Sequence, residues 1–566
     1  MKCFHFYKTT IHLIVLTILT LSVLHCAIAS AEELGPAEIM LGERLFIETR
    51  FAQYFKSYLD QGKSVNDPIP KGDPTLNKTM RFFGLPPYQI PFVDGPYAGQ
   101  TFNCRTCHLV DEHLEQKELG MRAYADFASR SPLPTRDDGQ FNTVRNAPVL
   151  VHASIPRKNL IMHFDGEFYS LRQLVRGTLT NRNFGWLPGE KDIAINHICK
   201  IVREDNGKNA LAAEFGNLSY SEAFSGATKD NKPVASDYLI PKVLQTDIHK
   251  DSCEYVFDTV ANFIAIYTES LVFAEDETIF SPYDLFLHAN KLPIQPNSDE
   301  SDIDYSKRLM AEIKALKNKN SLKFITKNPN TEHGGFEFHD LAFQFGELEL
   351  KGMEIFFNQN EKDHIQKGNC IACHPAPHFT DFGLHNTGVT QIEYEAIHGN
   401  NAFNKLGIPS LSQRNEQPDQ FLPATHKHPN RQSQFRRIPD KNAPLFTDLG
   451  AWNIFHNDDF PKTQDRIENL ICKTDDTCTS DEHALALSIA TFKTPSLRDL
   501  GHSAPYMHNG LFSDLHATVG FYIGAAVNTR QKYFRNGDED IGSVKIEPND
   551  IHPITQFLVS LYEDYN

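Results

Sequence analysis

Two pentapeptides set the terms on which this chain can fold: Cys104-Arg105-Thr106-Cys107-His108 and Cys370-Ile371-Ala372-Cys373-His374. Covalent attachment of haem needs two thiols about one helical turn apart to reach the vinyl groups, and an imidazole directly after the second thiol to swing under the iron. Structural zinc wants four ligands in paired clusters, and a thioredoxin-like dithiol wants a strand–helix setting. Neither explains a histidine after both pairs. Two c-type haems are expected, anchored by Cys104, Cys107, Cys370 and Cys373, with His108 and His374 as axial ligands to iron.

Passages around the two motifs repeat. Leu41-Gly42-Glu43-Arg44-Leu45-Phe46 precedes the first and Leu350-Lys351-Gly352-Met353-Glu354-Ile355-Phe356 the second. Val144-Arg145-Asn146 leads on to Met162-His163-Phe164-Asp165-Gly166, and Leu497-Arg498-Asp499 to Met507-His508-Asn509-Gly510. This is a duplication. At 566 residues the chain is long enough for more than one domain. Apolar residues at three-and-four spacing (Val256, Val260, Phe263, Ile264, Tyr267, and again over 485–492) predict helices, and strand alternation is scarce. The expected division is an N-terminal haem domain over 32–290, a Pro- and Lys-rich connection over 291–345, and a C-terminal haem domain over 346–566.

The first residues read as an export signal: an apolar run from Ile11 to about Ile28, then Ala29-Ser30-Ala31 as a cleavage site. A periplasmic protein is expected, with no stable membrane insertion. Its net charge of −17 argues against nucleic acid as a partner and favours a cationic electron-donor protein. Outside the signal and the haem motifs stand Cys199, Cys253, Cys472 and Cys478. An even remainder in an exported chain is most simply two disulfides, of which Cys199–Cys253 and Cys472–Cys478 are one possible pairing.

These motifs, with Val144-Arg145-Asn146-Ala147-Pro148, Phe164-Asp165-Gly166, Thr494-Pro495-Ser496-Leu497-Arg498 and Ala504-Pro505-Tyr506-Met507-His508-Asn509-Gly510, resemble the bacterial dihaem cytochrome c peroxidase superfamily that includes MauG. The resemblance implies a mainly α fold of two cytochrome c-like haem domains related by duplication, with long loops. It implies hydrogen peroxide as substrate at the N-terminal haem. The C-terminal haem relays electrons from a small cytochrome or cupredoxin, or from an oxidisable protein substrate. At the place of the family's sixth ligand to the C-terminal iron stands Tyr522, as in MauG-like members, on the same helical face as Leu515 and Val519. A phenolate there would lower the potential of that haem. Distal acid–base chemistry falls to Gln173 and Glu190, both slightly off the family's spacing. The loop Ser131 to Thr143 lacks the histidine with which the peroxidases close the N-terminal iron, so an open site is implied, with His152 and His163 as the histidines still able to reach it. A calcium ion would sit at Asn146, Ser503 and the Pro505 carbonyl, and Arg145 and Arg498 would meet haem propionates. Phe164 departs from the family, which places an electron-carrying tryptophan there; Trp186 is the available substitute. The alternative from another class is a dihaem electron-transfer cytochrome without peroxidase activity.

Overall fold

The computed structural model describes residues 35–82, 89–94, 98–108, 130–272, 281–329, 333–336, 341–360, 367–472, 478–498, 500 and 503–562. The export signal read over 1–31 lies outside the described residues. The fold is mainly α. Among the described residues regular strand is confined to Lys78–Phe82 paired with Gln89–Asp94, and Leu384–His385 paired with Phe492–Lys493.

The duplication is built into one kind of helix crossing. The helix Cys253–Glu269, capped by the Ser252 hydroxyl accepting from the Tyr255 N–H, buries Val256, Val260, Phe263, Ile264 and Tyr267, the stripe its spacing predicts. It crosses the helix Ala37–Phe46 at Gly42, where any β-carbon would collide with the Phe263 carbonyl and the Tyr267 Cβ. In the second half Glu347–Phe357 crosses Pro548–Val559 at Gly352, where a β-carbon would strike the Pro553 carbonyl and the Phe557 Cβ. Only glycine lets two backbones approach so closely. Both crossings lie in the passages that read alike, and each leads its chain into a haem motif.

Among the described residues this gives three large apolar cores and a small cluster around Ala525, Phe534 and Ile541. The first runs from Leu41 to Tyr267. The second joins Tyr283, Phe286 and Leu287 to Met353, Phe356 and Phe557. It corrects the boundary drawn at 290: the helices Pro282–Ala289 and Asp302–Asn318 belong to the C-terminal domain. The Lys-rich helix Asp302–Asn318 buries Tyr305, Leu309, Met310 and Ile313 in that core and turns its charges outward, so composition alone disguised it as a connection. The third core, around Phe403, Phe435, Trp452 and Ile467, is formed by residues of the second half but takes in Ile161 of the first.

Both disulfides form, Cys199–Cys253 and Cys472–Cys478. The first ties the helix Lys191–Glu204 to the start of Cys253–Glu269. No helix among the described residues is long and apolar enough to cross a membrane.

Candidate functional site

The two motifs adopt one local structure. Cys104–Thr106 and Cys370–Ala372 are single 3-10 turns, and the His108 and His374 N–H groups donate to the Cys104 and Cys370 carbonyls at 2.9 and 2.8 Å. All four cysteines are free of disulfides. Burial pushes the Cys104 and Cys370 thiols up to about 12 and Cys107 to about 11. A redox-active dithiol needs the opposite shift. Each imidazole is tethered through Nδ1, His108 to the Pro148 carbonyl at 3.0 Å and His374 to the Phe379 carbonyl at 2.8 Å. Burial lowers both pKa values to about 4. A neutral ring with Nδ1–H donating to a carbonyl presents its Nε2 lone pair for a metal. Protonated thiols beside such an imidazole fit a covalently held haem at each motif.

Over His108 lies a cavity of about 800 Å³, walled by Cys104, Cys107, Phe164, Trp186 and Phe257, in the size range of small-molecule and cofactor sites. The loop Ser131 to Thr143 contributes Ser131, Leu133, Gln140 and Thr143 to the wall. Of the two histidines read as able to reach the iron, His152 is not in this wall; it is buried with Nδ1 3.2 Å from Nδ1 of His378 in the other half. His163 lines the cavity.

The structure divides the two distal candidates. Gln173 lines the cavity from the first turn of the helix Leu171–Leu179, which Ser170 caps. Glu190 does not. Its carboxylate is held by Arg136 at 2.7 and 2.8 Å and accepts the Leu187 N–H, so it links the loop Ser131 to Thr143 to the helix Lys191–Glu204. Two acids do line the cavity, Asp459, which Arg431 pairs at 2.7 Å, and Glu167, 3.1 Å from Nδ1 of His163 and 2.6 Å from Arg436. Burial raises the Glu167 pKa, but Arg436 and His163 more than offset it and hold the carboxyl ionised. Sequence reasoning missed this pair; the available signal was a His and a Glu four apart, flanking the Phe164-Asp165-Gly166 turn.

That turn recurs in the second half. Met162 bridges Phe168 as Tyr506 bridges Phe512. His163 and Met507 both hold left-handed backbone, at φ 62° and 71°, as do Gly166 and Gly510. Each turn ends in a capped helix, Leu171–Leu179 from Ser170 and Leu515–Arg530 from Asp514. Pairing the two by their shared Met-His letters is therefore one residue out: His163 matches Met507, and Phe164 matches His508. Counted from the caps, Tyr522 matches Thr178, which lines the first cavity. Burial raises the Tyr522 phenol above its ordinary range, and the Cys373 and Cys370 thiols raise it further; the side chain therefore faces the second motif. His508 stacks on Phe492 at 3.6 Å, and burial lowers its pKa to about 3.

Arg145 and Arg498, expected to meet propionates, are occupied by protein carboxylates. Arg145 grips Asp448 at 2.5 and 2.8 Å and Asp165 at 2.6 Å. Arg498 pairs with Asp284 at 2.6 Å. Of the oxygen donors read for calcium, Asn146 and Pro505 meet across the two halves, but the Asn146 amide N–H donates to the Pro505 carbonyl. The Ser503 hydroxyl donates to the Leu500 carbonyl at 3.3 Å. These three groups bond within the protein and do not converge as oxygens on one point. Phe164 is buried, and its carbonyl accepts the Lys493 N–H at 2.7 Å.

No protein-family model matches the chain. Among curated proteins it is similar to the cytochrome-c peroxidase IdrP2 of Denitromonas iodatirespirans, with 28% identity over 182 residues, which is 31% of this chain and 34% of that one. A shorter match, 53% identical over 34 residues, covers 6% of this chain and 9% of the cytochrome-c peroxidase IdrP1 of Pseudomonas sp. (strain SCT). The chain thus spans about a third of the first relative and less than a tenth of the second. Among solved structures it aligns with a one-residue variant of the diheme peroxidase BthA from Burkholderia thailandensis at TM-score 0.41 and 14% identity, over 94% of this chain and 86% of that one. It also aligns with a MauG-like protein associated with microbial copper homeostasis at TM-score 0.38 and 12% identity, over 95% of each chain.

Proposed function

We propose that this chain, a member of the dihaem cytochrome c peroxidase and MauG superfamily, reduces hydrogen peroxide in the periplasm at the haem of His108, with electrons passed through the haem of His374. The bound haems supply an iron site for peroxide and the electrons that convert it to water; the side chains supply position and protons. Pro148 fixes the His108 ring, so that its Nε2 is aimed and its tautomer set. His163, held at Nδ1 by Glu167, takes a proton at Nε2 from the inner oxygen of peroxide and returns it to the outer one, which leaves as water. Arg436 keeps Glu167 ionised through this cycle. The Gln173 amide, on the same wall, orients peroxide by hydrogen bonding. Tyr522 would be this chain's group available to the other haem, and a phenolate there would lower the potential of that iron. An acidic chain draws its electrons from a cationic donor protein, such as a small cytochrome or cupredoxin, or from an oxidisable protein.

The observation that supports this reading is the cavity over a neutral His108, with a hydrogen-bonded His163–Glu167 pair on its wall and no histidine in the loop Ser131 to Thr143. The test mixes peroxide with resting, fully haem-loaded protein in a stopped-flow spectrometer. A Soret shift without prior reduction is expected. A purely low-spin resting spectrum that peroxide leaves unchanged would make the protein an electron carrier instead.

A further inference from the structure

Between the two halves lie two cations that no carboxylate pairs among the described residues. Lys493 is 9% exposed, and its position is over-determined: it pairs with Leu384 in the strand that follows the second haem motif, and its N–H donates to Phe164 of the first half. Among the described residues its ammonium has no hydrogen-bond or ion-pair partner. Arg157 stacks its guanidinium on Phe382 at 3.7 Å. It donates to backbone carbonyls alone, Ile155 at 2.9 Å, Ile161 at 3.4 Å and Ala153 at 3.5 Å, and its Nε is buried without a partner among the described residues. Asp381, within the segment that both cations border, and Asp538 are taken by His385, and Asp284 by Arg498.

Both cations border the segment from His378 to His385 that folds back from His374. The Asp381 N–H donates to the Cys373 carbonyl at 2.8 Å, and the Thr494 N–H to the Gly383 carbonyl at 2.9 Å. Arg157 also depresses the basicity of His378, after burial, together with Arg498. Neither cation is in the wall of the cavity over His108. A buried cation without a counterion is costly enough that such groups are found paired or neutralised. Burial, with Arg157 beside it, lowers the Lys493 pKa to about 7; an anion placed beside it would favour the charged form. The arginines the sequence offered for this task, Arg145 and Arg498, are spent on Asp448, Asp165 and Asp284.

We propose that Lys493 and Arg157 form a carboxylate-binding site, and that its ligand is the propionate pair of the haem attached at Cys370 and Cys373. The proposal rests on haem at the second motif and is independent of peroxide chemistry. Reduction adds an electron beside these cations, so removing one disfavours it.

The test uses holoprotein with two haems per chain, verified by pyridine haemochrome. Potentiometric titration of Lys493→Met and Arg157→Met should show the equilibrium constant for reduction of the C-terminal haem falling about tenfold or more, which is about 59 mV for a one-electron couple. Lys493→Arg should restore it. Thermal unfolding supplies a second readout with opposite signs. If a propionate faces Lys493, Lys493→Met leaves a buried anion unpaired and lowers Tm; if nothing does, it removes an unpaired amine and raises Tm. An unchanged potential together with a raised Tm overturns the proposal, as does a shift confined to the N-terminal haem. A protein that ignores peroxide but shows the potential shift would sink the enzymatic reading and leave this site standing.

Discussion

Met162–Phe168 and Tyr506–Phe512 are the same turn entering the same kind of capped helix, yet the side chains they present have little in common. The first turn offers His163 and Glu167, which face a cavity; the matching places in the second are Met507 and Leu511. Farther along the helices, Thr178 in the first half stands where Tyr522 stands in the second. The neighbours of the attachment thiols differ too. Cys107 faces the Ser131 hydroxyl, whereas Cys373 lies 3.6 Å from a histidine gripped by two carboxylates. The same turn–helix unit thus carries different side chains at matching places in the two halves.

That comparison can be broken at several points. The largest effect is expected from His163→Ala: the rate of reaction with peroxide in stopped flow should fall by about 10²–10⁴-fold, the usual contribution of a positioned acid–base group, whereas Met507→Ala should leave it unchanged. Next comes the exchange Thr178→Tyr, which should carry the closed state into the first half. Cyanide affinity of the N-terminal iron should fall at least about tenfold, because only the unligated fraction can bind, and a low-spin signal should replace the high-spin one. Tyr522→Phe should remove the phenolate signature from the electron paramagnetic resonance of the other iron; an unchanged spectrum would refute the ligand assignment.

Smaller and opposite in kind are the glycine crossings. Gly42→Ala and Gly352→Ala should each cost about 1–3 kcal/mol by overpacking, read as lowered chemical-denaturation midpoints. A last effect concerns pH and lies in the second half. Burial lowers the His385 pKa, but Asp381 and Asp538 override it and raise the value to about 12. A group whose folded pKa lies above its unfolded value of about 6.5 stabilises fully below that value and loses its contribution as pH rises toward 12. Stability should thus decline above about pH 6.5 by up to about 1.4 kcal/mol per pH unit from this group, and His385→Gln should flatten that slope.

What could be read from the sequence was local. Motif spacing, the 256–267 stripe and the disulfide remainder depend on neighbours along the chain, and the structure agrees with each. What escaped was settled by partners distant along the chain, from 54 residues for Glu190 to 303 for Arg145. Arg145 turns to Asp448, Glu190 is claimed by Arg136, and Asp302–Asn318 hides Tyr305 and Leu309 under a lysine-rich face. The repeat register went astray for another reason: identical letters drew the eye, while the backbone aligns on left-handed residues and bridges. His163 and Glu167 were visible as letters, but nothing in the sequence said that both side chains turn inward.

The third core has a consequence for how this molecule must be made. Residues 423–427 and 459–463, from the sequence of the second half, roof the cavity over His108, and Ile161 of the first half is packed into the same cluster. A chain cut between the halves would leave the N-terminal piece with its reactive pocket unroofed and an isoleucine bared to water. The wall of the cavity over His108 is therefore complete only when residues 423–463 of the second half have folded onto the first.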